Sequence, residues 1–164
     1  MVVIDTDVFI LEFAFHHDSR HAVNADFLIA VRERGPAITV YNLMEILGQL
    51  SFNLSPDRLS QWRSWLQAAY GLAVIWPAVE AQRAVAFFRD EIYNRPLAKM
   101  QAQRMAFLDA LIIGLAERAP DIEAFVTWNA RHFRDKTPLT VLTPSEFLGN
   151  SFLIHSPTSD PPQE

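Results

Sequence analysis

The chain has 164 residues, half of them hydrophobic, with 14 basic against 19 acidic side chains for a net charge of -5, and no cysteine. That length suits one domain with one substantial core, and the composition excludes disordered, collagen-like and membrane-spanning readings. The missing thiols exclude disulfides, zinc ribbons and cysteine nucleophiles, and the acidic balance argues against a protein built to lie along a nucleic-acid backbone.

The opening MVVIDTDVFI has no basic region ahead of its apolar stretch, so no signal peptide is expected and the expected location is cytoplasmic. From there short apolar runs alternate with longer stretches of helical spacing. Strands are expected at 2–4, 37–40, 72–75, 124–127 and 139–142, where the runs are short and mostly rich in β-branched residues. Helices are expected at about 8–15, 20–34, 43–50, 57–70, 78–93 and 103–118, with short ones after Asn129 and after Pro144. Ser55 with Pro56 marks one start, Trp76 with Pro77 another, and Gly35 with Pro36 a stop. The segment NRPLAKMQA at 94–102 reads as a loop. This alternation predicts an α/β fold, a single doubly wound domain with a central parallel sheet of about five strands flanked by helices. The domain is expected over 1–148. Residues 149–164, ending in the proline-rich HSPTSDPPQE, are expected to form a mobile tail.

In such a sheet functional groups gather beyond the carboxyl ends of the strands, which directs attention to the acids there. Asp5 ends the first strand directly and is either a turn residue or part of a site. Asp7, two residues on, is placed to cap the helix that follows. Asp109 lies inside MAFLDALIIGLAERA, with Met105, Ile112, Ile113 and Ala116 on the same helical face. A carboxylate in an apolar stripe needs a cation or strong donors. A metal ligand is the preferred reading and a salt bridge or a marginal position the alternative. Glu45 falls opposite the stripe Leu43, Ile46, Leu47 and Leu50, and with Asn42 has the spacing of a capping box. Asn129 ends the fourth strand and either caps the helix ARHF or faces the same cleft. The topology carries these segments to one edge of the sheet. Three clustered carboxylates predict a divalent cation, and all-oxygen ligation favours magnesium or manganese over zinc.

Four stretches, VVIDTDVFI, NLMEIL, FLDALIIGLA and VTWNARHF, in this order and context, resemble the PIN domain family, and within it the VapC-type toxins of toxin–antitoxin pairs. The resemblance covers about residues 1–148. It implies a metal-dependent endoribonuclease with Asp5, Glu45 and Asp109 as an acidic triad around Mg2+ or Mn2+. Asn129 falls where members carry Asp or Asn, and Asp7 takes a positioning role. In the implied chemistry Asp5 and Asp109 ligate the metal, Glu45 ligates it or orients the attacking water, and Asn129 holds a metal-bound water or the scissile phosphate. The implied products carry 5'-phosphate and 3'-hydroxyl ends.

Two rival readings stand beside it. A PIN-like module that binds RNA or protein without cutting accounts for Asn129 and for the negative net charge. Asp5-Thr6-Asp7-Val8 is also similar to the opening of haloacid-dehalogenase-type phosphatases, but Phe9 breaks the pattern and the only lysines are Lys99 and Lys136. Twelve Phe and four Trp suggest an exposed apolar patch, from which a homodimer that also buries an antitoxin segment is expected. His17 and His21 have a zinc-compatible spacing but no evident third ligand. Arg131, His132 and Arg134 are candidate phosphate contacts at the rim. The stripe Trp62, Trp65, Leu66 and Ala69 reads as core or partner surface.

Overall fold

The computed structural model describes residues 1–78 and 84–154, with side chains through 149. Its centre is a five-stranded sheet in the order β3-β2-β1-β4-β5, from β1 (Val2–Ile4), β2 (Pro36–Thr39), β3 (Ala73–Ile75), β4 (Ala124–Val126) and β5 (Val141–Leu142). Every pairing is parallel. The strand order reverses at β1, which has β2 on one side and β4 on the other. A crevice opens at such a reversal beyond the carboxyl ends of the strands.

Alternation along β1 explains why both faces of the sheet are covered. Val2 and Ile4 enter one apolar core with Phe9, Phe27, Ile46, Leu66 and Phe147, whereas Val3 enters a second with Ile112, Ile113, Phe125 and Phe133. The first core is closed by α1 (Thr6–Ala14), α2 (His21–Ala30), α3 (Val40–Leu50), α4 (Pro56–Tyr70) and α9 (Pro144–Ile154). The second lies under α7 (Phe107–Arg118) and α8 (Ala130–Phe133). The central strands β1, β2 and β4 are buried throughout, as their unbroken apolar runs predict, while the edge strand β3 is partly open.

Several ends follow from their residues. Ser55 accepts from the Arg58 N–H and Pro56 sits in the first turn of α4. Gly71 ends the same helix in the left-handed region at φ +66°, where a side chain is disfavoured. The helix expected over 78–93 is seen as α5 (Ala84–Arg89) followed by a π-helical turn Asp90–Asn94, and 79–83 lie outside the described residues.

The loop expected at 94–102 is instead helix α6 (Arg95–Gln103). Pro96 is accepted because it falls in the first turn, where no intrahelical N–H is needed, and a 2.7 Å pair from Lys99 to Glu117 holds the helix against α7. Arg104 then takes a left-handed φ of +50°, so α7 begins at Phe107 rather than near 103. Helix α9 continues past 148 to Ile154, and the remainder of the expected tail, 155–164, lies outside the described residues. No helix among the described residues is long and apolar enough to cross a membrane.

Candidate active site

Beyond the carboxyl end of β1 lies an open cavity of about 340 Å³, lined by Asp5, Thr6, Asp7, Ile10, Glu45, Gln49, Asp109, Asn129 and Phe133. All four residues expected to form the site, Asp5, Glu45, Asp109 and Asn129, therefore face one cavity, together with Asp7.

Asp5 is the N-cap of α1. Its Oδ1 accepts from the Thr6 N–H at 2.8 Å and from Asn42 Nδ2 at 3.1 Å. The cap role expected of Asp7 thus belongs to Asp5, because the helix begins two residues earlier than its apolar pattern suggests. Asp7 sits in the first turn, and its Oδ2 accepts from Thr127 Oγ1 at 2.9 Å and from the Asn129 N–H at 3.0 Å. Its Oδ1 is buried with no hydrogen-bond partner among the described residues. Burial is the first cause, and the neighbouring Asp7 charge the second, of an Asp5 pKa pushed up to about 8; Glu45 adds to it. Burial also raises the pKa of Asp7.

Asn42 is a residue that the sequence pattern alone did not bring into the site. The capping box of α3 runs from Thr39 to Asn42, not from Asn42 to Glu45. Asn42 is wholly buried, held through its Oδ1 by Thr39, and directs its Nδ2 at Asp5 and Thr6. Freed from capping, Glu45 lines the cavity in a partly exposed position.

Asp109 lies in the first turn of α7, at the margin of its apolar stripe, 31 % exposed. Among the described residues it meets no arginine. His132 Nε2 stands 3.1 Å from its Oδ2, off the line a hydrogen bond needs, and that nitrogen remains buried without a hydrogen-bond partner. Asn129 starts α8 but makes no side-chain cap bond, which leaves its amide facing the cavity.

Of the expected rim cations, Arg134 pairs with Glu146 and His132 stands by Asp109. Neither Lys99 nor Lys136 lines the cavity, since Lys99 bonds Glu117 and Lys136 reaches the Arg104 carbonyl. The lysine that the phosphatase reading needs is therefore not in place. The zinc-compatible spacing of His17 and His21 leads to no pair, because His17 precedes α2. His16 Nδ1 meets His21 Nε2 instead, at 3.3 Å.

The lining carboxylates Asp5, Asp7, Glu45 and Asp109 offer oxygen donors of the kind that a hard divalent cation takes. Asp5 is buried beside the partly buried Asp7, whose charge raises the Asp5 pKa further. No group of three or more His, Asp and Glu side chains among the described residues is placed to hold a metal ion.

The fold matches a chain in the crystal structure of VapBC2 from Rickettsia felis bound to a DNA fragment from its promoter. The TM-score is 0.57, with 16% identity, over 87% of this chain and 98% of that one. That likeness shows a PIN-like fold. No family model and no curated protein matches the sequence, so the likeness is one of fold alone.

Proposed function

We propose that the chain is a metal-dependent endoribonuclease that hydrolyses RNA phosphodiesters, and the toxin of a toxin–antitoxin pair. The observation that carries this reading is the cavity at the β1 reversal, where Asp5, Asp7, Glu45, Asp109 and Asn129 converge and the neighbouring acids Asp7 and Glu45 help to raise the Asp5 pKa. The likeness to VapBC2 supports the toxin reading and a protein partner.

Asp5 and Asp109 would hold Mg2+ or Mn2+, with Asp7 beside Asp5 as a further ligand or as the carboxylate that sets its charge. A bound cation of this kind neutralises charge on the phosphate and lowers the pKa of the attacking water. The Thr6 N–H and Asn42 amide keep Asp5 in one orientation. Glu45 accepts a hydrogen bond from the water and aims it in line with the leaving 3'-oxygen. The Asn129 amide donates to a phosphate oxygen. Since water is the nucleophile, the 2'-hydroxyl takes no part, and the products bear 5'-phosphate and 3'-hydroxyl ends.

The test is cleavage of single-stranded RNA with Mg2+ or Mn2+, with and without chelator, by the wild type and by Asp5→Asn and Asp109→Asn. Cleavage that needs the metal and is lost in both variants supports the reading; equal activity in all three proteins, or 2',3'-cyclic phosphate products, overturns it. A binding module that does not cut is the second reading, favoured by the missing three-carboxylate cage among the described residues. Binding of RNA without cleavage under either metal would establish it.

A further inference from the structure

Beside the segment that leads into Asn129, a cation is held in place more firmly than a surface arginine needs. Arg20 opens α2, and its guanidinium lies over the Trp128 ring, 5.5 Å from the centroid. Asp18 grips one edge of it, accepting from Nε at 2.9 Å and from Nη2 at 2.7 Å. The indole beneath is itself fixed, since its Nε1 donates to the buried Asn24 Oδ1 at 2.8 Å and its ring packs on the first core. Asn24 in turn bonds the Val8 carbonyl and Glu12. With one face on tryptophan and one edge on a carboxylate, the arginine is still half exposed.

The position of this stack ties it to the site. Trp128 directly precedes Asn129, whose N–H holds Asp7 and whose side chain lines the cavity. The charge of Asp7 also reaches Arg20.

We propose that the outer face of the Arg20 guanidinium is a stacking platform for a nucleobase of single-stranded RNA next to the scissile phosphate. This rests on the ribonuclease reading above. A guanidinium already gripped bidentately by Asp18 has little charge left for a phosphate, whereas its plane is rigid and open, which is what base stacking requires. Proteins that read unpaired RNA stack bases on arginine planes as well as on aromatic rings. Fixing the plane beforehand also lowers the entropy lost on binding.

The test uses the full chain, a single-stranded RNA that the wild type cuts, and versions of it with an abasic nucleotide at each position flanking the cut. Arg20→Ala is expected to raise KM about tenfold with kcat little changed. Arg20→Lys, which keeps the charge and loses the plane, is expected to fail equally. At one flanking position the abasic substrate should raise the wild-type KM by a similar factor, and Arg20→Ala should add nothing to it. That coupling is not produced by an arginine that merely braces the loop. Full rescue by lysine, an unchanged KM, or equal effects of Arg20→Ala on intact and all abasic substrates would overturn the proposal. Should the wild type cut no RNA, the nuclease reading fails by itself. The same oligonucleotides in fluorescence anisotropy then decide the stacking: the same coupling in affinity upholds it, and its absence, or no binding, overturns it.

Discussion

The two aspartates of the DTD segment hold different posts although they are two residues apart. Asp5 has two donors on one oxygen and a neighbour of like charge, and burial lifts its pKa from 3.8 to about 8. The folded chain therefore keeps this proton to higher pH than the unfolded chain. Metal-free protein is expected to lose stability as pH rises from about 4 through about 8, and to lose no more from this group beyond that. Asp5→Asn removes the penalty, so thermal melts of the two proteins without metal should diverge in favour of the variant with rising pH. The same variant is expected to lose roughly 100-fold or more of RNA cleavage in Mg2+, a gain in stability against a loss of function. Asn42→Ala acts in the opposite sense on stability. It strips Asp5 and Thr39 of a buried partner and is expected to cost about 1–3 kcal/mol in urea unfolding. It should also lower cleavage about tenfold or more, because Asp5 loses a donor that orients it.

At the scale of elements, the departure from regular helix between α5 and α6 is held by charge. Glu91, in the π-helical turn, is 3 % exposed and accepts from Arg118 Nη2 at 2.6 and 2.7 Å and from the Tyr41 hydroxyl at 3.0 Å. These bonds link the turn to α7 and to α3, the helices that present Asp109 and Glu45. Arg118→Met leaves the buried carboxylate with Arg95 alone, 3.8 Å from its Oε2 and not hydrogen-bonded to it, and is expected to cost about 1–3 kcal/mol at pH 7. The double replacement of Glu91 and Arg118 by methionine is expected to recover most of that loss, as read by urea unfolding of both proteins. Helix α6 shows the same dependence on its neighbour. Its sequence is polar on average and carries a proline, and the Lys99–Glu117 pair holds it against α7.

For the whole molecule, the sheet reversal at β1 places the end of β1, the loop after β4, the starts of α1, α7 and α8 and the later turns of α3 around one cavity. Cation binding there should raise the melting temperature by mass action. The rise with Mn2+ is expected to grow from pH 6 to pH 9, as the ion competes with fewer protons, and to vanish in Asp5→Asn. Away from the cavity, Phe52, Trp65 and Phe15 are 85 %, 46 % and 55 % exposed, and the Trp62–Trp65 stripe splits between core and surface around the buried Leu66. A homodimer that also buries an antitoxin segment is the arrangement we propose for these aromatics. Sedimentation of the isolated chain is expected to give twice the chain mass, and a monomer at micromolar concentration would refute the dimer. The alternation of apolar runs and helical stretches determined the parallel sheet, its strands and the edge at which the acids meet, because burial periodicity is written locally. Tertiary structure alone decided that Asp5 caps α1, that Thr39 frees Glu45 from capping, that Asn42 braces Asp5, and that Arg20 lies on Trp128. Each of these is a hydrogen bond or a ring contact chosen among partners that become neighbours only after the chain has folded, so no spacing in the sequence encodes it.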